Sequence, residues 1–243
     1  MTALVHEVLR ETPDYLVCYK PAGLATQTAG IRERDLLDVL RAEYPGEDLS
    51  VINRLDQPVE GLVLVARHKK AAAALTASMN RGEFGKEYLC VVMGTPAMSE
   101  GTYTDYMMKD EKTNLSRVVS FSEKPSGKNA GTGKESPRKA KLSYRVIAGK
   151  EDTSCLQVHL HTGRHHQIRV QMAYHGTPIV GDRKYGKAVE GTESGCRTVA
   201  LCAFRLSFPE IRNGEQVIVT CIPRSEGFSG YDICAVDKIP PIF

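Results

Sequence analysis

Val51–Ala66, VINRLDQPVEGLVLVA, places an arginine, a leucine and an aspartate between two short apolar runs. Val51 and Ile52 lead in and Leu62–Val65 lead out, rich in leucine and β-branched residues, which is the pattern of two buried strands meeting at a polar corner. Burying a lone carboxylate is costly, so Asp56 is either partly open to solvent or held by a cation in a cleft. A polar corner between strands is ordinary in itself. The rest of the chain decides whether this one carries chemistry.

Working outward, Tyr15–Lys20, YLVCYK, reads as a strand closed by the turn Pro21-Ala22-Gly23. Asp35–Tyr44, DLLDVLRAEY, spaces Leu36, Leu37, Val39 and Leu40 as the inner face of a helix that Pro45-Gly46 ends. After the central stretch, Lys69–Asn80 is an alanine-rich helix stopping near Arg81-Gly82, the natural cover for the buried strand before it. Gly85–Gly94, GKEYLCVVMG, is a strand with Tyr88 near its entrance; a tyrosine there is most often a core or cross-strand residue. Leu142–Ala148 and Ser154–His161 return to strand alternation. His165–His175 then reads as a helix, with Ile168 and Met172 stacked four apart and Arg169 beside that apolar stripe.

At 243 residues and 42% hydrophobic, the chain can bury a sizeable core. It lacks an apolar run long enough to span a bilayer, and its opening residues are not a basic flank followed by an apolar stretch, so a soluble, cytoplasmic protein without membrane partners is expected. Seven cysteines stand singly without C-x-x-C pairs, which argues for buried thiols in a reducing compartment and against a disulfide framework or zinc site. His161, His165 and His166 are not spaced as a rigid ligand set, so no metal is expected. A net charge of +3 permits binding to RNA without demanding it. The local excess lies in Ser122–Lys141, where Gly, Ser, Pro and six cations against two acids describe an exposed basic loop. Such a loop is either a solvated insertion or a cationic arm for phosphates.

Two stretches carry a resemblance. Arg54-Leu55-Asp56 with Gly61 and Leu62 resembles the H-R-L-D-x-x-T-S-G-L-L-L motif of the RluA-like pseudouridine synthases. Gly163-Arg164, His166-Gln167-Ile168-Arg169-Val170 and Ala173 match that family's G-R-x-H-Q-I-R-V-H-x-A, and Pro178, Ile179, Gly181, Asp182, Tyr185 and Gly186 match the motif after it. Lys20-Pro21-Ala22-Gly23 and Lys86-x-Tyr88 fit its strand patterns, so the resemblance runs from about Tyr15 to Pro223. Asn53 stands where the family has histidine, and Val59-Glu60 where it has threonine and serine. An acid so close to the turn would repel phosphate unless it faces away.

The resemblance implies an α+β fold, a mainly antiparallel mixed sheet with flanking helices and loops around a central RNA-binding cleft. It implies a single catalytic domain over residues 1–243, with its core at about 15–223, the basic flexible loop at 122–141 and no N-terminal accessory RNA-binding domain. The implied activity is isomerisation of uridine to pseudouridine in large-subunit ribosomal RNA or transfer RNA, by a monomer without a cofactor. Asp56 is then catalytic, Tyr88 packs on the flipped base, and Arg169 pairs with Asp56 through a two-pronged guanidinium contact. Arg54, Asn53, Lys20, Arg164, His166 and Gln167 are the implied substrate-binding residues. A second reading is an RNA-binding, ribosome-assembly relative without turnover. A carbohydrate hydrolase is weaker, since no second carboxylate falls in a comparable motif.

Overall fold

The computed structural model describes residues 6–28, 34–120, 122, 136–186, 198–233 and 238–242. Its contacts gather into two compact units, residues 1–89 with 198–241 and residues 90–197 with 242–243. The architecture is α+β with a mixed, mainly antiparallel sheet, as expected.

In the first unit, β1 (Glu7–Glu11), β2 (Tyr15–Lys20), β4 (Glu60–Ala66) and β10 (Leu201–Pro209) lie side by side, with β3 (Ser50–Val51) on β4 and β11 (Gln216–Thr220) on β10. All residues of β2 and β4 are buried, so both strands are covered on both faces. This explains continuous apolar runs rather than alternation. Each fully buried aliphatic side chain there contributes about 1.5–3 kcal/mol. β2 and β4 pair antiparallel, from Tyr15 opposite Ala66 to Lys20 opposite Gly61, whereas β4 and β10 run parallel with Cys202 beside Glu60. Gly61 sits at φ +120°, and a Cβ there would stand 2.4 Å from the Ala203 carbonyl oxygen. Only glycine lets the two backbones approach at this point.

Helix α1 (Leu36–Glu43) is capped by Asp35, whose carboxylate accepts from the Asp38 amide, and it buries Leu36, Leu37 and Leu40. Helix α2 (Lys69–Asn80) starts at His68, whose ring accepts from the Ala71 amide, and buries Ala71 and Leu75. Strand β5 (Gly85–Met93) has its first five residues in this unit and its last four in the other.

In the second unit, β9 (Thr153–Leu160), β8 (Arg138–Lys150), β6 (Glu100–Asp110) and β7 (Leu115–Val119) form an antiparallel array. Helix α3 (Gln167–Tyr174) packs on one face, where its Val170 meets Met107 of β6 and Ala140 of β8. The helix begins later than its spacing suggests because His166 takes a left-handed conformation, φ 55°, and turns the chain into the first turn. Most of the expected basic loop lies outside the described residues. Its end is not loop: Arg138–Lys141 open strand β8. The described cysteines, Cys18, Cys90, Cys155, Cys202 and Cys221, are buried free thiols. Among the described residues no helix is long and apolar enough to cross a membrane.

Candidate active site

Asp56 is half-buried in the turn between β3 and β4, and Arg54 beside it is exposed. The turn is pinned from both sides by groups whose roles the sequence left open. Thr26 Oγ1 donates to the Leu55 carbonyl at 2.8 Å and accepts from the Leu55 amide at 3.1 Å. Gln57 exchanges bonds with Gly23: its carbonyl accepts the Gly23 amide at 2.8 Å and its side-chain Nε2 donates to the Gly23 carbonyl at 3.1 Å. The Val59 amide returns to the Asp56 carbonyl at 3.0 Å, closing the turn on itself. A carboxylate carried on a loop thereby gains the rigidity of the sheet.

Lys20 is wholly buried at the end of β2, and its ammonium donates to the carbonyls of Leu24 at 2.6 Å, Pro21 at 3.0 Å and Gln57 at 3.3 Å. Burial pulls its pKa down to about 7, against the opposing attraction of the Asp56 and Glu60 carboxylates. Lys20, an expected substrate contact, ties the segment after β2 to the Asp56 turn. Asn53 is also occupied: its Oδ1 accepts the Leu64 amide at 2.7 Å and its Nδ2 donates to the Leu62 carbonyl at 3.1 Å. The amide bonds the backbone of β4 at both ends, so the residue that replaces histidine fastens the turn to the strand.

Glu60 faces away from the turn. It is 2% exposed, and its carboxylate accepts the amides of Arg224 at 3.1 Å and Ser225 at 3.0 Å, the Ser225 hydroxyl at 2.8 Å, and the Tyr19 hydroxyl. Arg224 lies over the Tyr19 ring, 4.1 Å from its centroid, and reaches Glu7 at 2.5 Å. Four donors satisfy the buried acid, which removes the objection that it would repel phosphate. The same contacts place the start of the C-terminal stretch, which the sequence alone left unassigned.

Tyr88 on β5 is 7% exposed, and its phenol is held well above its ordinary pKa first by burial and then by the nearby Asp56 carboxylate. A protonated phenol and a carboxylate therefore share one region of the first unit.

In the second unit, Arg169 donates Nε to Asp182 Oδ2 at 2.7 Å and Nη2 to Asp182 Oδ1 at 2.8 Å, with both side chains almost wholly buried. The turn after α3 brings the Asp182 carboxylate up beside the helix to meet this guanidinium. Backbone amides of Lys184 and Tyr185 also point at Asp182 Oδ1, and the Arg169 guanidinium lies 5.2 Å from the Tyr185 ring centroid. Tyr185 shares a 2.7 Å hydrogen bond with His166 Nδ1 and accepts the Ser116 amide at 3.0 Å. Gln167 braces the loop before the helix: its Oε1 accepts from Thr162 Oγ1 and the Arg164 amide, and its Nε2 donates to the Lys141 carbonyl. Arg164 Nε donates to the Lys139 carbonyl at 2.9 Å. Asp182 and Tyr185 lacked an assigned role in the sequence, although both stand in the motif after the Q-I-R triplet.

Residues 14–174 match the family profile of RNA pseudouridylate synthases, a span that includes both the Asp56 turn and Arg169. The chain belongs to this family. Among its relatives, the uncharacterized RNA pseudouridine synthase YlyB of Bacillus subtilis is 32% identical over 221 residues, 87% of this chain and 67% of the relative. The ribosomal large subunit pseudouridine synthase C of Haemophilus influenzae is 28% identical over 219 residues, 88% of this chain and 64% of the relative. The uncharacterized protein K07E8.7 of Caenorhabditis elegans is 32% identical over 77% of this chain and 40% of its own length. The chain thus spans 40% to 64% of the length of the first three curated relatives that it matches. The solved structure of human RNA pseudouridylate synthase domain containing 1 superimposes with a TM-score of 0.71 at 24% identity, covering 92% of this chain and 85% of that one. That of domain containing 4 gives 0.72 at 20% identity, covering 89% and 88%. At these identities the likeness shows the pseudouridine synthase fold.

Proposed function

We propose that this member of the family is an RNA pseudouridine synthase that isomerises specific uridines in ribosomal or transfer RNA, with Asp56 as its catalytic carboxylate. The reading rests above all on Asp56 and Tyr88, which are held close together with the Asp56 turn fastened to the sheet by Lys20, Thr26 and Asn53. The reaction breaks the N1–C1′ bond of uridine, turns the uracil and joins C5 to C1′; the C5 proton leaves and N1 gains one. Atoms and electrons balance without a redox partner. Asp56 acts on the sugar as nucleophile or as the base that takes a ribose proton.

The target base leaves its stack at a cost of a few kcal/mol. Packing against an aromatic ring returns about 1–3 kcal/mol, the role proposed for Tyr88. Its phenol keeps its proton at neutral pH, so it can donate a hydrogen bond during the later proton transfer at C5. Exposed Arg54 takes the place vacated by the flipped base or holds the flanking phosphate. Arg169 keeps the catalytic role that its motif implies and brings a counter-ion of its own in Asp182.

The test is site mapping of pseudouridine in total RNA from cells with the protein, without it, and with only Asp56→Asn. Sites that vanish together in the last two support the reading and name the substrate. If every site persists while the purified protein still binds RNA, the assembly role without turnover replaces it.

A further inference from the structure

The β6–β8 pair has two unlike faces. Met107 and Ala140 turn towards α3, so the residues that alternate with them turn the other way. Across the pair that second face reads Tyr106 opposite Lys139, Thr104 opposite Lys141, Thr102 opposite Ser143 and Glu100 opposite Arg145. Arg117 of β7, opposite Met108, extends it on one side. Thr102, Thr104, Lys139 and Arg117 are exposed, and Tyr106, Lys141 and Arg145 are half-buried.

Four cations, Arg117, Lys139, Lys141 and Arg145, stand here against two acids at the two ends of β6, Asp110 beyond Met108 and Glu100, which is 3.6 Å from Arg145 and 71% exposed. The floor between them is neutral and polar. Ser143 Oγ is 2.9 Å from Thr102 Oγ1 and 2.8 Å from His161 Nε2, a polar row that runs across the strands. Lys141 lies near enough to His161 to help keep that ring uncharged, after burial and His159. Along β8 the outward side chains from Lys139 to Arg145 include no apolar residue, and successive ones stand about 6.8 Å apart. A protein partner would need a broad apolar centre to bury, and between Lys139 and Arg145 this face of β8 offers none. A polyanion needs spaced cations and wet hydrogen-bonding groups between them, and a tyrosine beside a lysine adds a surface on which a base can stack.

We infer that this open face of β6 and β8 is a binding track for the phosphate backbone of RNA, with Lys139, Lys141 and Arg145 as its contacts. The inference rests on the RNA-directed function proposed above and adds to it a surface on the side of the second unit away from α3. It contributes affinity without sequence preference, and the chemistry lies elsewhere.

The experiment measures binding of a uridine-containing RNA stem–loop as a function of salt, together with the KM and kcat for pseudouridine formation. In K139Q/K141Q/R145Q the slope of log affinity against log salt falls by roughly two and affinity at physiological salt falls about tenfold. KM rises, kcat at saturating RNA stays within about twofold, and K139R/K141R behaves as the parent, which a folding defect would not allow. An unchanged slope and affinity in the triple variant, with the parent binding RNA, overturns the track. If the parent forms no pseudouridine but the triple variant still loses salt-dependent binding, the track stands and the enzymatic reading fails. If the parent binds no RNA, both fall.

Discussion

Around Asp56 buried charges are held by backbone dipoles, whereas beside helix α3 a buried charge is held by its opposite. Lys20 rests on three carbonyl oxygens and Glu60 on the amides of Arg224 and Ser225 with two hydroxyls. Arg169 is gripped by Asp182 through two parallel bonds. The chemical types suit the two solutions. A lysine can shed its proton when burial presses on it, so a cage of carbonyls leaves it adjustable, while a guanidinium cannot and requires a full counter-charge. The support of the Asp56 turn thus includes a cation whose pKa burial has lowered to about 7.

The largest effect should come from breaking the paired charge. Asp182→Ala removes the two-pronged contact of the buried Arg169 guanidinium and should cost about 3–5 kcal/mol in a denaturant melt. A loss below about 1 kcal/mol would mean that the backbone carries Arg169 as it carries Lys20.

Glu60→Gln should come next. The amide keeps the shape but offers one oxygen and two unwanted donors to a site built from donors, a loss of about 1–3 kcal/mol by the same melt. The Arg224–Ser225 segment should then exchange its amide hydrogens faster. Glu60→Ser, the residue the family motif carries there, should free the segment further.

Lys20 gives the pH test. Its folded pKa, about 7, lies below the ordinary lysine value of 10.5, so between those limits the unfolded chain binds more protons than the folded one. Stability attributable to Lys20 therefore rises as pH climbs from about 7 towards 9, and the stability of the parent minus that of Lys20→Met should increase along that range. Buried thiols act in the opposite sense at higher pH. Cys18 and Cys155 are pushed up to about 12, so their contribution is full below about 9 and lost as pH rises towards 12. Equal slopes for parent and variant between pH 7 and 9 would show that Lys20 keeps its proton as Arg169 does.

Arg54 should have the smallest effect on the fold. It is exposed, and Arg54→Ala should shift stability by no more than about 0.5 kcal/mol. Turnover on RNA should nevertheless fall by about tenfold or more, an effect of roughly 1.4 kcal/mol or greater on the transition state. Normal turnover would remove Arg54 from the proposed site.

The first unit was the more legible in sequence because its strands are buried on both faces and its helices carry clear caps. Tyr15–Lys20 and Lys69–Asn80 have the bounds their patterns suggest, and Asp35 and Tyr44 flank α1 as its caps. Strands β6 and β7 escaped a sequence reading because one face of β6 is polar and open, so no apolar stripe marks it. The start of α3 was misplaced by two residues because nothing in a histidine pair announces a left-handed backbone. Asp56, Tyr88 and Arg169 were singled out through motifs, but two of the residues that hold Glu60 lie 164 and 165 residues away and no local pattern points to them. Asp182 was in view within its motif. Its pairing with Arg169 depends on a turn that only coordinates display.

The Glu60 clasp also sets an order of events during protein synthesis. Ser225 is made 165 residues after the acid it holds, so at about 5–20 residues per second the nascent chain carries Glu60 with Tyr19 already made but without its Arg224 and Ser225 donors for on the order of ten seconds. During that interval the ribosome's own RNA is the nearest polyanion. The clasp closes only when Arg224 and Ser225 have been made.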